Sequence, residues 1–304
     1  MIGLILEGGG MRAGFVAGAL MALMDRGLIE FNLAVAVSAS VPTLAYFSSG
    51  QRKEMEMVWR NELDTPNLVC YRNILRAFFA LSNKKPILDI HYLVYEVFKK
   101  KYPLDLKNLT HSKIACYFAL TDVAKARPIF LTPRDDDIYT IFESALAIPV
   151  CYPKPTYIHG HEYRDGGITN LLPLRFLIDK KVDQIVAVLS TPLDYQYQPL
   201  NLIERILLYR YFKGNKWILR KLWETALAYE EAKSLLKRLS QQGPPKTFII
   251  APDRMPPARF ITRNRKKINR TIDLGYQKVK VLENKIRSFL NNSFFTSTYK
   301  GLSQ

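Results

Sequence analysis

Two apolar runs near the start of the chain each end in small residues and lead directly into a segment with helical spacing. Residues 2–6 are followed by a glycine cluster and by a helical pattern over 13–26. Residues 33–37 end at Ser38, and a second helical pattern runs over 42–49. Because successive strand–helix units join strands by crossover connections, they predict a parallel sheet with helices on its faces.

The rest of the sequence extends this pattern. A mostly helical, aromatic-rich stretch covers 53–101, and a short helix is predicted over 138–147. Further strands are predicted at 114–121, 128–132, 184–189 and 246–251. We therefore expect an α/β protein with three α/β/α layers and a central, mostly parallel sheet. Residues 1–200 form the predicted core, and 201–304 form a basic, helical C-terminal part with one returning strand, integral to the same domain.

Positive charge is concentrated in the last third of the chain. From Asn201 to Gln304 there are 22 Lys and Arg residues and 7 Asp and Glu residues, so +15 of the formal charge of +17 lies there. Such a surface attracts nucleic acid or anionic lipid headgroups, where each basic side chain contributes roughly 1 kcal/mol. The densest cluster, 263–267, precedes a helix predicted to run through Phe289.

Aromatic residues are interleaved with cations in a predicted helical stretch over 202–239. Such a mixture suits a headgroup interface, and an ordinary solvated helix is an equal alternative. The aromatic residues concerned are Tyr209, Tyr211, Trp217 and Trp223.

The sequence favours a cytoplasmic protein with at most peripheral membrane contact. The first strand lacks the basic flank and cleavage site of a signal peptide. No uncharged apolar run approaches the roughly 18 to 20 residues of a membrane span. Three widely spaced cysteines, Cys70, Cys116 and Cys151, favour reduced thiols. We expect no cofactor or metal, since neither zinc-ligand spacing nor a calcium loop is found.

Three motifs carry the groups that ester hydrolysis requires. Ser38 ends the second predicted strand, the glycine loop 7–12 follows the first, and Asp165-Gly166-Gly167 lies far downstream. Hydrolysis needs an oxygen nucleophile, a base within hydrogen-bond reach and donors aimed at the oxyanion. A carboxylate serves as the base only when it is held near the serine and partly desolvated, which raises its basicity.

These motifs resemble those of the patatin-like phospholipase family, which carries a Gly-Gly-Gly-x-Arg/Lys loop, a Gly-x-Ser-x-Gly turn and a later Asp-Gly-Gly/Ala. Here they read Gly8-Gly9-Gly10-Met11-Arg12, Ala36-Val37-Ser38-Ala39-Ser40 and Asp165-Gly166-Gly167. Ser144–Pro149 and Asn170–Pro173 add to the resemblance, which covers about residues 3–190 well and the remainder loosely.

The resemblance implies a serine lipid acyl hydrolase of the phospholipase A or lysophospholipase kind, with a Ser–Asp dyad and no histidine. Ser38 is then the nucleophile and Asp165 the base. The amides of Gly8, Gly9 and Gly10 form the oxyanion hole, with Gly9 and Gly10 holding the oxyanion. Arg12 supports this loop or meets a phosphate. The implied partners are a lipid ester substrate and an anionic membrane surface.

The chain departs from the family pattern at the nucleophile turn, where Ala36 and Ser40 replace both glycines. Those glycines let strand and helix approach closely around a strained serine. Alanine and serine are the next smallest residues, so the turn still forms, with crowding that puts full activity in doubt. A catalytically silent lipid-binding protein is therefore the alternative, and reaction of Ser38 with a fluorophosphonate discriminates between the two.

Three other interpretations are weaker. Gly8-x-Gly10-x-x-Ala13 fits a dinucleotide-binding loop, but the second strand ends in Ser38 rather than in the acidic residue that holds a ribose. Nucleic-acid binding through the basic third lacks any recognisable motif. His159 and His161 lie in a polar hairpin turn before Asp165; we expect solvated turn residues, and as a zinc pair they lack partners.

Overall fold

Eight strands form one sheet in the computed structural model, which describes residues 1–73, 85–196, 206, 208–209 and 216–300, with the backbone alone for 216–219 and 292–300. The strands are β1 (Ile2–Leu6), β2 (Leu33–Val37), β3 (Ala115–Asp122), β4 (Arg127–Leu131), β5 (Thr156–Ile158), β6 (His161–Asp165), β7 (Gln184–Val188) and β8 (Thr247–Ile250).

Helices flank this sheet on both faces. They are α1 (Gly14–Asp25), α2 (Ser40–Ser48), α3 (Arg52–Asn61), α4 (Tyr92–Lys101, with π-type hydrogen bonding), α5 (Leu106–Thr110), α6 (Ile138–Ala145), α7 (Leu174–Asp179), α8 (Lys216–Ser240) and α9 (Arg265–Lys300). None of these described helices has both the length and the apolar composition needed to cross a bilayer.

The centre of the sheet is parallel. The strand order is β5-β6-β3-β2-β1-β7-β8, with β4 paired to β3 outside this path. The pairs β3–β2, β2–β1, β1–β7 and β7–β8 are parallel. Strands β4 and β6 run antiparallel to β3, and β5 runs antiparallel to β6. The predicted α/β fold with a mostly parallel sheet is therefore confirmed.

Alternate residues of the central strands face opposite layers, as the twofold period of a strand requires. Leu4 and Leu6 of β1 contribute to the larger apolar core, which includes residues of α1–α4, α6 and α9. Ile5, between them, contributes to a second core with residues of α7 and α8. The central strands β1, β2 and β7 are buried on both faces, which explains why they read as continuous apolar runs.

A close helix crossing attaches the C-terminal helix α9 to α1. A Cβ added at Gly18 would lie 1.9 Å from the Ile272 carbonyl oxygen, and one added at Gly275 would lie 1.9 Å from the Phe15 carbonyl oxygen. Each helix therefore presents a glycine to the backbone of the other, so no larger residue fits at either position without a backbone shift.

Differences from the sequence predictions lie both at one edge of the sheet and outside it, since the strands β5 and β6 were not predicted. Residues 62–71 form turns rather than continuing a helix, and α9 runs to Lys300 instead of ending at Phe289. The short helices α5 and α7 were not predicted. Of the helical stretch predicted over 202–239, several residues, including Tyr211, lie outside the described part of the chain.

Candidate active site

Strand register brings three turns together at the carboxyl edge of the sheet. Leu6 of β1 pairs with Ala36 of β2 and with Val188 of β7. Two residues further on, Ser38, Gly8 and Ser190 therefore leave the sheet side by side. A Cβ added at Gly8 would lie 2.8 Å from the Ser38 Cβ, so a glycine is required for the loop to pass the serine this closely.

Ser38 occupies the sharp turn between β2 and α2. Its φ is 55°, a left-handed conformation that is strained for a residue with a side chain. Its backbone carbonyl accepts a hydrogen bond from the Val41 amide at 2.8 Å, which closes the first turn of the helix. The residue is 5% exposed and lines the cavities described below. The turn thus fixes a buried hydroxyl at the mouth of the sheet.

Asp165 reaches this hydroxyl from the end of β6, where it pairs with Leu120 of β3. The Ser38 Oγ donates to Asp165 Oδ2 at 2.6 Å, and the Gly167 amide donates to Oδ1 at 2.7 Å. A Cβ at Gly166 would lie 2.4 Å from the Ala119 carbonyl oxygen, so the turn after Asp165 is pressed against β3. Both carboxylate oxygens are therefore held in fixed directions.

Burial raises the pKa of Asp165 to about 6, although the hydrogen bonds from Ser38 and from the Gly167 amide act in the opposite direction. Desolvation dominates because the carboxyl group is almost fully buried and no charged side chain lowers its pKa. A carboxylate of this basicity suits general-base chemistry near neutral pH.

The glycine loop turns back on itself beside Ser38. Gly9 and Gly10 have φ values of 140° and 58°, which favour glycine. A Cβ at Gly10 would lie 2.2 Å from the Phe260 carbonyl oxygen, which accepts the Met11 amide at 3.0 Å. In the described part of the chain, no group accepts a hydrogen bond from the Gly9 or Gly10 amide. Those two donors are therefore free for a ligand.

Arg12 lies at the end of this loop. Its backbone amide and its Nε both donate to the Gly9 carbonyl, at 3.2 and 3.4 Å. The guanidinium also lies 5.7 Å from the centre of the exposed Phe260 ring, and Arg12 lines a cavity shared with Ser38. The structure thus brings together Ser38, Asp165, the glycine loop and Arg12, as the sequence predicts.

None of the four histidines, which are His91, His111, His159 and His161, hydrogen bonds to Ser38 or Asp165. The Nδ1 of His91 lies 3.2 Å from Glu143 Oε1, and His159 lies in the exposed β5–β6 turn, where its Nε2 is 3.1 Å from the Asp135 carbonyl oxygen. Within the described residues, no three His, Cys, Asp or Glu side chains are grouped as metal ligands.

Two cavities meet at Ser38. The larger, of about 450 Å³, has polar groups in its wall, among them Arg12, Asp165 and Tyr195. The smaller, of about 60 Å³, is enclosed mainly by apolar side chains of α2, α3, α4 and the turns between them, including Trp59. Ser38, Ile148 and Phe260 line both cavities. Both cavities are thus lined mainly by apolar side chains, and the larger one adds a cation and a carboxylate beside Ser38.

Ala36 and Ser40 are accommodated without opening the nucleophile turn. Both are fully buried, and the Ser40 Oγ donates to the Glu7 carbonyl at 2.6 Å. Sequence reasoning treated Ser40 only as a replaced glycine and overlooked Glu7, Ser190 and Tyr229. Glu7 sits next to the glycines and was detectable as a carboxylate ending a buried strand; no local signal marks Ser190 or Tyr229.

The chain thus combines a mostly parallel sheet, a strained serine turn, a glycine loop and a serine–aspartate pair. The chain belongs to the patatin-like phospholipase family, whose sequence model matches residues 4–178. This match confirms the resemblance predicted from the three motifs. The family is one of lipid acyl hydrolases.

Individual proteins similar to the chain include a curated relative and a solved structure. An Escherichia coli (strain K12) protein named "Uncharacterized protein YjjU" is 26% identical over 204 residues, which is 65% of this chain and 54% of the relative. The chain thus spans about half the length of this curated relative. The crystal structure of VipD from Legionella pneumophila has a similar fold, with a TM-score of 0.50 and 13% identity over 93% of this chain and 66% of VipD.

Proposed function

We propose that this protein is a serine lipid acyl hydrolase that cleaves carboxylic esters with Ser38 as nucleophile and Asp165 as base. The observation that carries this proposal is the buried hydrogen bond of 2.6 Å from Ser38 Oγ to Asp165 Oδ2. The unpaired amides beside Ser38 and the raised pKa of Asp165 support the same assignment.

The reaction proceeds in two halves. Ser38 Oγ attacks the ester carbonyl carbon and passes its proton to Asp165, while the carbonyl oxygen becomes an oxyanion held by the Gly9 and Gly10 amides. The C–O bond to the alcohol then breaks, and Asp165 returns the proton to the leaving oxygen. Water attacks the acyl-enzyme, gives a proton to Asp165 and releases the fatty acid, and that proton restores the Ser38 hydroxyl.

The two cavities, which meet at Ser38, favour a lipid ester whose acyl and alcohol halves lie on either side of the serine. The apolar cavity suits the acyl chain, since its wall is formed by side chains such as Trp59, Leu93 and Phe98. The larger cavity suits the alcohol half, and Arg12 provides a cation for a phosphate there. This division supports a phospholipase A or lysophospholipase activity.

Anionic membrane surfaces are the proposed site of action. The segment after β8 carries the exposed cations Arg259, Arg263, Lys266 and Lys267, which are close in sequence to Phe260. Phe260 is 36% exposed and lines both cavities. An exposed ring in a cationic segment suits the headgroup region of a bilayer, and in the proposed arrangement the cavity mouths face the lipid. Nucleic acid is not the proposed partner.

Hydrolysis assays of wild type, Ser38→Ala and Asp165→Asn test the proposal on phospholipid vesicles and on a soluble short-chain ester. We expect both variants to remain folded and to lose turnover by about a thousandfold or more. Ser49→Ala removes another buried hydroxyl and is expected to behave as wild type. Comparable turnover in a folded dyad variant contradicts the assignment. A folded, lipid-binding wild type without turnover supports the catalytically silent alternative.

A further inference from the structure

Three consecutive carbonyl groups of the glycine loop, those of Glu7, Gly8 and Gly9, accept hydrogen bonds from side chains. The Ser40 Oγ donates to the Glu7 carbonyl at 2.6 Å, and the Ser190 Oγ donates to the Gly8 carbonyl at 2.5 Å. The Gly9 carbonyl accepts the Arg12 Nε at 3.4 Å. Three consecutive peptide groups are therefore anchored, each through its oxygen.

A peptide group is planar and trans, so its carbonyl and the next amide point in opposite directions. Fixing the Glu7 oxygen therefore fixes the direction of the Gly8 amide, and fixing the Gly8 oxygen fixes that of the Gly9 amide. In the same way, the hydrogen bond from Arg12 to the Gly9 oxygen fixes the direction of the Gly10 amide. Each anchored oxygen thus determines where a candidate oxyanion donor points.

These anchors matter because glycine peptides rotate easily. Gly9 and Gly10 have positive φ, and without side chains they meet little steric resistance to a change of peptide orientation. Oxyanion stabilisation depends on donors that already point at the developing charge. A loop of glycines needs an external constraint to supply such donors.

The two serines are themselves held. Both Ser40 and Ser190 are 0% exposed. The Ser190 amide donates to Glu7 Oε2 at 2.6 Å, and the Tyr229 hydroxyl of α8 donates to Glu7 Oε1 at 2.5 Å. The Thr191 amide also donates to Glu7 Oε2, at 3.3 Å. The Glu7 carboxylate therefore connects β7 and the basic helix α8 to the base of the glycine loop.

We propose that Ser190 and Ser40 are positioning residues: Ser190 orients the Gly9 amide for oxyanion binding, and Ser40 holds the preceding Glu7–Gly8 peptide, from which the loop starts. This inference rests on the proposed function, because it concerns the transition state of ester hydrolysis. Neither hydroxyl touches the reacting atoms; each acts through one peptide group. At Ser40 the chain has a hydroxyl where the family pattern has glycine, so this contact is a feature of the present sequence.

The kinetic test compares Ser190→Ala, Ser40→Ala and Ser40→Gly with wild type and with Ser49→Ala. Ser49 matches them as a buried hydroxyl that donates to a backbone carbonyl, that of Tyr46, in the helix α2. We expect kcat on a soluble ester to fall about 10- to 100-fold in Ser190→Ala and somewhat less in the Ser40 variants. KM should change less than about threefold, since the ground-state carbonyl depends little on these donors.

Crystal structures of the same variants give a readout that does not depend on turnover. We expect the Gly8–Gly9 peptide to rotate or become disordered in Ser190→Ala and to keep its orientation in Ser49→Ala. An unmoved peptide, or a rotated peptide with unchanged kcat, overturns the positioning role. An inactive wild type with an anchored peptide that moves in Ser190→Ala refutes the proposed hydrolysis instead and leaves the anchoring intact.

Discussion

Ser38 and Asp165 are separated by 127 positions in the chain, and a hydrogen bond of 2.6 Å joins their side chains. Three strands produce this contact. Ser38 leaves β2, Asp165 ends β6, and β3 pairs with both strands. The carboxyl ends of β2 and β3 lie at the same edge of the sheet, which is where binding sites of open α/β sheets are found.

The pH dependence of hydrolysis follows from the pKa of Asp165. The base acts only in its ionised form, and burial raises its pKa to about 6. We therefore expect kcat/KM on a soluble ester to be low under acidic conditions, to rise through about pH 6 and to level off above it. A pH–rate profile measures this directly. A profile that is flat between about pH 5 and 8 contradicts the role of Asp165 as base.

The same shift predicts a pH-dependent stability. The folded-state pKa lies above the usual 3.8, so the folded state binds the proton more tightly, and the stabilisation present at low pH is lost as pH rises through about 6. The Asp165→Asn variant does not lose stability in this way, because asparagine does not titrate. The free energy of unfolding of the variant minus that of wild type should therefore increase by up to about 3 kcal/mol between about pH 4 and pH 7. Denaturant unfolding at both pH values measures this difference in free energy. A difference between variant and wild type that is the same at both pH values contradicts a raised pKa of Asp165.

Charge reversal tests the proposed membrane surface. Arg265 forms an ion pair with Asp64, so Lys266→Glu/Lys267→Glu is the cleaner variant. We expect its binding to anionic vesicles to fall at least about tenfold, since each basic side chain near the surface contributes roughly 1 kcal/mol, while hydrolysis of a soluble ester is retained.

Lys113→Glu/Lys181→Glu is the matched control for this experiment. Both lysines are exposed and precede β3 and β7, at the sheet edge opposite the site. We expect the control to bind anionic vesicles nearly as wild type does. Equal losses in the two variants indicate a general charge effect, and equal wild-type binding to neutral and anionic vesicles contradicts the electrostatic proposal.

The crossing of α1 and α9 bears on the domain organisation. We propose that residues 201–304 fold with residues 1–200 as one domain, since β8 pairs with β7 and α9 packs on α1. Gly275→Ala places a Cβ against the Phe15 carbonyl and should cost about 2 kcal/mol or more, within one cooperative transition. The control Gln277→Ala, at an exposed position of α9, should leave the free energy of unfolding nearly unchanged. A separate transition for the C-terminal part contradicts the one-domain proposal.

The central strands of the sheet were predictable because they are buried on both faces and read as continuous apolar runs, whereas the short strands β5 and β6 were not predicted. The site was predictable where chemistry is local: Ser38 ends such a run, and Asp165 precedes two glycines. The hydrogen bonds from Ser190 and Tyr229 to the loop and to Glu7 were not predictable, since they depend on the register of β7 and on the packing of α8. The glycine pair of α1 and α9 was equally invisible, because helix contacts over this sequence distance leave no local pattern.

Reaction with a fluorophosphonate tests the central claim most directly. Intact-mass analysis of wild type and Ser38→Ala after incubation with the reagent reports whether this hydroxyl is an activated nucleophile. We expect one adduct on wild type and none on Ser38→Ala, with the adduct forming more slowly on Asp165→Asn. A well-folded wild type that forms no adduct, or an adduct that persists in Ser38→Ala, contradicts the assignment of Ser38 as the nucleophile.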